Sequence, residues 1–181
     1  MELLTIADGT PDRIDVWDVR NDWPWTNPSG GFSPGAPRCI IVHHTATPSL
    51  PVALADQVHK MHDVARTAKY GLPYNFVVFP GSTQRIFYVN DVDGTYPHTL
   101  SFNDCCAVAA WGNYEERPPP PTIPRRIEQL VRALKNMWQT DIPVIAHRHV
   151  FATACPGRHL FGVLDERGVF DLGYPWLAGR A

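Results

Sequence analysis

Residues 39–47 read CIIVHHTAT, an apolar, β-branched run that ends in two histidines and lies between Pro37 and Pro48. A short run of this composition between prolines predicts a buried strand. The next segment, residues 51–66, repeats apolar side chains at helical spacing, which predicts an amphipathic helix. A strand that leads directly into a helix favours an α/β domain.

Four further segments are predicted as strands by their apolar composition: YNFVVF (74–79), QRIFYV (84–89), CCAVAAW (105–111) and IPVIAH (142–147). A PGS turn separates the first two, so they predict a hairpin. The last of the four ends at a histidine, as does the strand that begins at residue 39. Two predicted strands therefore each place a histidine at their end.

The prolines at positions 118–121 can join neither a helix interior nor a sheet ladder, and they predict an extended surface loop. Behind them, Pro124 can occupy the first turn of a helix whose apolar stripe runs from Ile127 to Trp138. The chain then turns through FATACPG (151–157) into a short helix. We therefore predict one α/β domain, with a central mixed β-sheet flanked by α-helices.

The composition limits the function classes. The 181 residues are 44% apolar and 19% charged, and 16 basic against 18 acidic side chains give a net charge of −2. This balance does not indicate nucleic-acid binding, and the longest apolar run, residues 105–111, is too short to span a bilayer. The first residues lack the basic and apolar regions of a secretion signal. We expect a protein that accumulates in the cytoplasm, binds no nucleic acid and does not insert into membranes.

The four cysteines are too few and too unevenly spaced for a disulfide framework. Cys105 and Cys106 are adjacent in an apolar run, and we expect buried free thiols there because free cysteine is among the most buried residue types. A disulfide between Cys39 and either of them stays open at this point.

Three residues have the types and positions of metal ligands: His43 and His147 at strand ends, and Cys155 before a Pro-Gly turn. Imidazole and thiolate are preferred ligands of zinc, and three protein ligands leave a fourth tetrahedral position for water, as in catalytic sites. Eight histidines make such a spacing easy to obtain by chance. Two alternatives for Cys155 therefore stay open, a buried inert thiol and a nucleophile activated by His147.

The order of several motifs along the chain allows a more specific prediction of the function. IIVHHTAT, GLPYNFVV, WGNYEERPP and AHRHVFATACPG together resemble the type-2 N-acetylmuramoyl-L-alanine amidases, a family that includes phage endolysins and catalytic peptidoglycan recognition proteins. The resemblance covers about residues 38–160 and implies a zinc enzyme with an amidase/peptidoglycan recognition protein-like α/β fold. It also implies hydrolysis of the amide bond between N-acetylmuramic acid and L-alanine of peptidoglycan.

The resemblance implies roles for individual residues. The implied zinc ligands are His43, His147 and Cys155. Catalytic roles are implied for Tyr74 of the YNF motif and for Thr153, and a substrate-binding role for His98. Each catalytic residue has a simpler alternative, since Tyr74 could be a surface aromatic of the sheet and Thr153 could bond its own backbone.

Other motif positions are expected to stay out of the metal site. His44 neighbours His43 on one strand, so its side chain points to the opposite face, and we expect a hydrogen bond near the cleft. His149 occupies a position that is commonly acidic in the family, and Cys105 and Ala107 replace more usual serine and glycine. Neither departure touches an implied ligand.

These inferences divide the chain into an irregular, aromatic-anchored arm (1–37), a zinc amidase catalytic domain (38–165) and a C-terminal extension packed on the same domain (166–181). We expect a monomeric phage endolysin that acts on peptidoglycan. A cytoplasmic peptidoglycan-recycling amidase and a non-catalytic peptidoglycan-binding module are the alternatives.

Overall fold

The computed structural model describes residues 2–7, 13–20, 37–48, 54–67, 71–81, 85–92, 96–99 and 101–174. Within these ranges seven strands form one sheet: β1 (Glu2–Ala7), β2 (Arg13–Asp18), β3 (Ile40–His44), β4 (Phe76–Val78), β5 (Ile86–Tyr88), β6 (Cys106–Ala110) and β7 (Val144–Ala146). The same ranges contain three α-helices: α1 (Leu54–Thr67), α2 (Thr122–Trp138) and α3 (Arg158–Glu166). From residue 38 onward, the predicted order of strands and helices is confirmed.

The strands lie in the order β1-β2-β5-β4-β6-β3-β7. β3 pairs in parallel with both β6 and β7, β4 pairs in parallel with β6, and β4 and β5 form the predicted antiparallel hairpin. The sheet is therefore mixed, as predicted. Because parallel strands run in the same direction, the C-terminal ends of β3, β6 and β7 lie side by side at one edge.

The central strands β3, β4 and β6 are buried on both faces of the sheet. Phe76 and Val78 of β4 pack into one apolar cluster with α2, whereas Val77 packs into another with Met61 of α1. Neighbouring strand residues point to opposite faces, so helices cover the sheet from both sides. No helix within the described residues is long and apolar enough to cross a membrane.

The prediction of an irregular N-terminal arm is wrong for the two segments that form β1 and β2. They pair with each other antiparallel, and β2 joins the main sheet in parallel with β5. Buried Ile14 and Val16 flank exposed Asp15, which is the period-two pattern of a strand. The nearby tryptophans and prolines obscured this short pattern. Residues 1, 8–12 and 21–36 of the predicted arm lie outside the described residues.

The expectation of two free thiols is wrong at Cys105, which forms a disulfide with Cys39. Cys106 is a buried free thiol, as expected. The parallel register pairs Ile40 with Cys106, so residues 39 and 105 precede this pair on neighbouring strands and share a face. Their Cα atoms are 4.9 Å apart, within the range that a disulfide requires.

The chain after α3 returns to the edge strand β7. The N–H of Asp171 donates to the carbonyl of Val144 at 2.8 Å, and the Asp171 carboxylate accepts from the N–H of Val144 at 3.0 Å. These bonds attach the described part of the C-terminal extension to the sheet. Residues 175–181 lie outside the described residues.

Candidate metal centre

Three chain segments meet at the C-terminal edge of the parallel strands. His43 lies near the end of β3, His147 directly follows β7, and Cys155 lies in the loop before α3. Candidate ligand atoms of the three side chains all lie within 4.8 Å of one another. Nδ1 of His43 is 3.6 Å from Sγ of Cys155. The structure thus brings the three predicted zinc ligands together.

The donor types and their spacing fit a zinc ion. Bonds of about 2.0–2.1 Å to nitrogen and about 2.3 Å to sulfur, at a tetrahedral angle, separate two ligand atoms by about 3.5 Å, close to the distance between His43 and Cys155. Nε2 of His147 is buried and has no hydrogen-bond partner among the described residues, although buried polar atoms are normally paired. A buried nitrogen without a partner, on a side chain that lies together with two further donor residues, fits a metal site better than a packing role.

Burial sets the protonation of the two imidazoles. Desolvation lowers the pKa of His43 well below its ordinary value, and the neighbouring histidines lower it further. Desolvation also lowers the pKa of His147 to about 4. Both rings are therefore neutral at pH 7, the form in which imidazole binds a metal.

The same burial acts in the opposite direction on Cys155. Desolvation raises the pKa of its thiol to about 12, against a smaller lowering contribution from the backbone of His44, whose N–H donates to Sγ at 3.3 Å. A catalytic cysteine nucleophile needs a lowered pKa, so these surroundings disfavour the nucleophile alternative. A metal cation, in contrast, would deprotonate the thiol outright.

The two predicted catalytic residues flank the ligands. The ring centroid of Tyr74 is 5.3 Å from that of His43, and burial, with a contribution from Cys155, raises the pKa of Tyr74 well above its ordinary value. Its hydroxyl therefore stays protonated and is a hydrogen-bond donor at neutral pH. Thr153 accepts from the N–H of Cys155 at 3.2 Å, which is the local backbone contact that the sequence left open. Catalytic roles for both stay predictions.

His98 is buried beside His43. Its Nδ1 is 3.1 Å from Nε2 of His43, and its Nε2 is 3.0 Å from the carbonyl oxygen of Cys105. Both ring nitrogens thus have protein partners. The substrate-binding role stays a prediction, but these contacts join His98 to a predicted zinc ligand.

Two further motif histidines bond the backbone. Nδ1 of His44 accepts from the N–H of Tyr114 at 3.1 Å, which confirms the hydrogen bond expected there. Nδ1 of His149 accepts from the N–H of Ala146 at 3.1 Å and so supports the 3₁₀ turn of residues 147–149. A carboxylate could accept the same bond, so histidine at this commonly acidic position preserves the turn that carries His147.

Sequence reasoning missed two residues that support the site. Asn75 of the YNF motif accepts from the N–H of Ala107 at 2.7 Å and so ties the segment of Tyr74 to β6. Phe151 stacks on His147 with ring centroids 5.7 Å apart, although 41% of its surface is exposed. Asparagine in an apolar strand was a usable signal, because a buried amide needs partners. Phe151 gave no signal, since an aromatic residue in a turn has no single role.

Comparisons with known proteins give separate evidence on the family of this chain. A sequence profile of the Amidase_2 family, described as N-acetylmuramoyl-L-alanine amidase, matches residues 33–158. A peptidoglycan-recognition protein of Drosophila simulans is 27% identical over 137 residues, which are 71% of this chain and 73% of that protein.

Solved structures share the fold. Wild-type PGRP-LB of Drosophila superposes with a TM-score of 0.73 at 20% identity, over 88% of this chain and 98% of that chain. The Ph2119 endolysin from a Thermus scotoductus bacteriophage superposes with a TM-score of 0.65 at 20% identity, over 84% of this chain and 98% of that chain. The matched profile spans more than half of the sequence and includes every predicted site residue, and the chain therefore belongs to the N-acetylmuramoyl-L-alanine amidase family.

Proposed function

We propose that this chain is a zinc-dependent N-acetylmuramoyl-L-alanine amidase that hydrolyses the amide bond between N-acetylmuramic acid and L-alanine of peptidoglycan. The observation that carries the proposal is the convergence of His43, His147 and Cys155 within 4.8 Å, with Tyr74 beside them. Three donors leave one tetrahedral position of a zinc ion for water or substrate, as catalytic sites require. A structural zinc site would use four protein ligands.

A zinc ion held by these side chains would supply a Lewis acid for the amide carbonyl and would lower the pKa of water. The chain's own residues set the conditions for that chemistry. His43 and His147 are neutral, so the thiolate of Cys155 adds the only negative charge among the three ligands. The N–H of His44 moderates that charge by donating to the sulfur.

Tyr74 is the residue best placed to act on a substrate oxygen. Its protonated hydroxyl belongs to a ring that lies against His43, so it can donate to the oxyanion that develops at the attacked carbonyl. One well-placed donor of this kind contributes roughly 2.7–4 kcal/mol to catalysis. Thr153 can add a second donor through its hydroxyl hydrogen, since its oxygen already accepts from Cys155.

We further propose that the substrate is the intact cell wall and that the protein acts, as a monomer, as a phage endolysin that reaches the wall from the host cytoplasm at lysis. The same fold serves the Ph2119 endolysin, which is support by fold analogy. The Cys39–Cys105 disulfide suits an oxidising environment, so in this proposal it closes after release. A recycling amidase would instead prefer soluble muropeptides.

Digestion of purified peptidoglycan tests the amidase proposal. The zinc-loaded protein should release L-alanine amino groups without new reducing sugar ends. A chelator should abolish the release and added zinc should restore it, with Cys155→Ala as the inactive control. Folded, zinc-loaded protein that binds the wall but releases nothing would contradict the proposal and favour a binding module. Faster cleavage of soluble muropeptides than of intact wall would contradict the endolysin role alone.

A further inference from the structure

His98 connects the metal centre to the beginning of β6. Its Nε2 lies 3.0 Å from the carbonyl oxygen of Cys105, and its Nδ1 lies 3.1 Å from Nε2 of His43. The two rings meet edge-on, at 88° with centroids 5.1 Å apart. Only 7% of the His98 surface is exposed, so water cannot readily replace either partner.

This geometry determines which nitrogen of each ring carries the proton. A carbonyl oxygen can only accept, so neutral His98 holds its proton on Nε2. Nδ1 of His98 then carries a lone pair and can only accept a hydrogen bond. The proton between the two rings therefore belongs to Nε2 of His43. His43 is left with a lone pair on Nδ1, the atom that lies 3.6 Å from the sulfur of Cys155.

Two hydrogen bonds in series link the carbonyl oxygen of Cys105 to His98 and His98 to His43. The carbonyl group of Cys105, where this series begins, is fixed by its neighbours. The N–H of Cys106, in the same peptide plane as the Cys105 carbonyl, donates to the carbonyl of Cys39 at 2.9 Å. The side chain of Cys105 is bonded covalently to Cys39. The backbone of His98 is held as well, since its N–H donates to the carbonyl of Tyr96 at 2.8 Å. The series therefore begins at a fixed point of the sheet.

We propose that His98 is a positioning residue that selects the Nε2–H tautomer of His43 and thereby presents Nδ1 of His43 to the metal. The proposal rests on the proposed zinc site. It assigns His98 the role of orienting a zinc ligand instead of the role of binding substrate. In the opposite tautomer of His43, two lone pairs would face each other in a buried site and a proton on Nδ1 would block the metal. Loss of such an outer partner weakens metal binding by about 10–100-fold.

The tautomer can be measured in the metal-free protein from two-bond ¹H–¹⁵N correlations of the histidine rings. Wild-type His43 should carry its proton on Nε2 alone. His98→Phe should give a mixture of both His43 tautomers, whereas His98→Gln, which keeps an acceptor and a donor, should retain the Nε2–H form. His149→Gln is the matched control, because His149 bonds the backbone of Ala146, and it should leave the His43 tautomer unchanged.

Zinc affinity, measured by competition with a chromophoric chelator, is the second readout. His98→Phe should bind zinc about 10–100-fold more weakly, and His98→Gln should recover most of that loss. A proton on Nδ1 of wild-type His43 overturns the proposal, even where His98→Phe fails to fold. Folded His98→Phe with wild-type tautomer and affinity overturns it as well. Neither readout uses turnover, so a failure to digest peptidoglycan would overturn the proposed function alone.

Discussion

The two ends of the β3–β6 strand pair use cysteine in opposite ways. At the N-terminal end, Cys39 and Cys105 bond each other in a disulfide. At the C-terminal end, Cys155 is a free thiol within ligand distance of His43 and His147. One end is closed covalently, whereas the other keeps its donors available to a metal. The same residue type thus forms a covalent link at one end and belongs to the proposed metal site at the other.

The largest effect is expected at the open end, from Cys155→Ala. The variant should lose zinc, because only two imidazoles remain to hold the metal and the thiolate charge is gone. Turnover should therefore fall by more than about 10³-fold. It should still fold, because Cys155 lies in a loop and belongs to none of the apolar clusters of the described core. Metal analysis and the amino-group assay measure the two effects. Retention of zinc and turnover by the folded variant would remove the assignment of the metal centre.

Tyr74→Phe separates the chemistry of the open end from its metal binding. The variant lacks the hydroxyl donor but keeps the ring beside His43, so zinc affinity should be unchanged. The kcat value should fall by about 10²–10³-fold, as for other single donors to an oxyanion. Loss of zinc in this variant would instead make Tyr74 a support of the ligands, and an unchanged kcat would remove it from catalysis.

The closed end is tested by replacing Cys39 and Cys105 together with alanine. The disulfide joins residues 66 positions apart. Removing a cross-link that closes a loop of that length lowers the free energy of unfolding by about 4 kcal/mol. Urea unfolding of the metal-free protein measures this loss. Cys106→Ala is the matched control, because Cys106 is a buried thiol without a disulfide. Its free energy of unfolding should fall by much less. If the double variant and the wild type had equal free energies of unfolding, the disulfide end would not have the stabilising role that distinguishes it from the open end.

The comparison of the two ends also shows what the sequence could predict. The strand and helix order and the ligands at the open end follow from local apolar spacing and from motif order, which are properties of short segments. The disulfide and the contact of His98 with His43 depend on the register of β6 beside β3. No local pattern encodes that register, because the two strands lie far apart along the chain. The pairing of β2 with β5 escaped prediction for the same reason.

The last effect expected is a pH dependence that belongs to the open end. Burial lowers the pKa of both His98 and His147 to about 4 in the folded protein, whereas the unfolded chain titrates near the ordinary value of about 6.5. Between these values the unfolded chain binds more protons. The stability of the metal-free protein is therefore fully present above about pH 6.5 and decreases as the pH falls toward 4.

Urea unfolding of chelator-treated protein at about pH 7, 6 and 5 measures this dependence in a range where most carboxylates stay ionised. His98→Gln should weaken the dependence, because it removes one buried imidazole. The Cys39 and Cys105 double variant should keep the wild-type dependence, because a disulfide does not titrate. Identical dependence in wild type and His98→Gln would assign the titration to other groups. A reduced dependence in the double variant would show instead that the closed end controls the burial of the histidines at the open end.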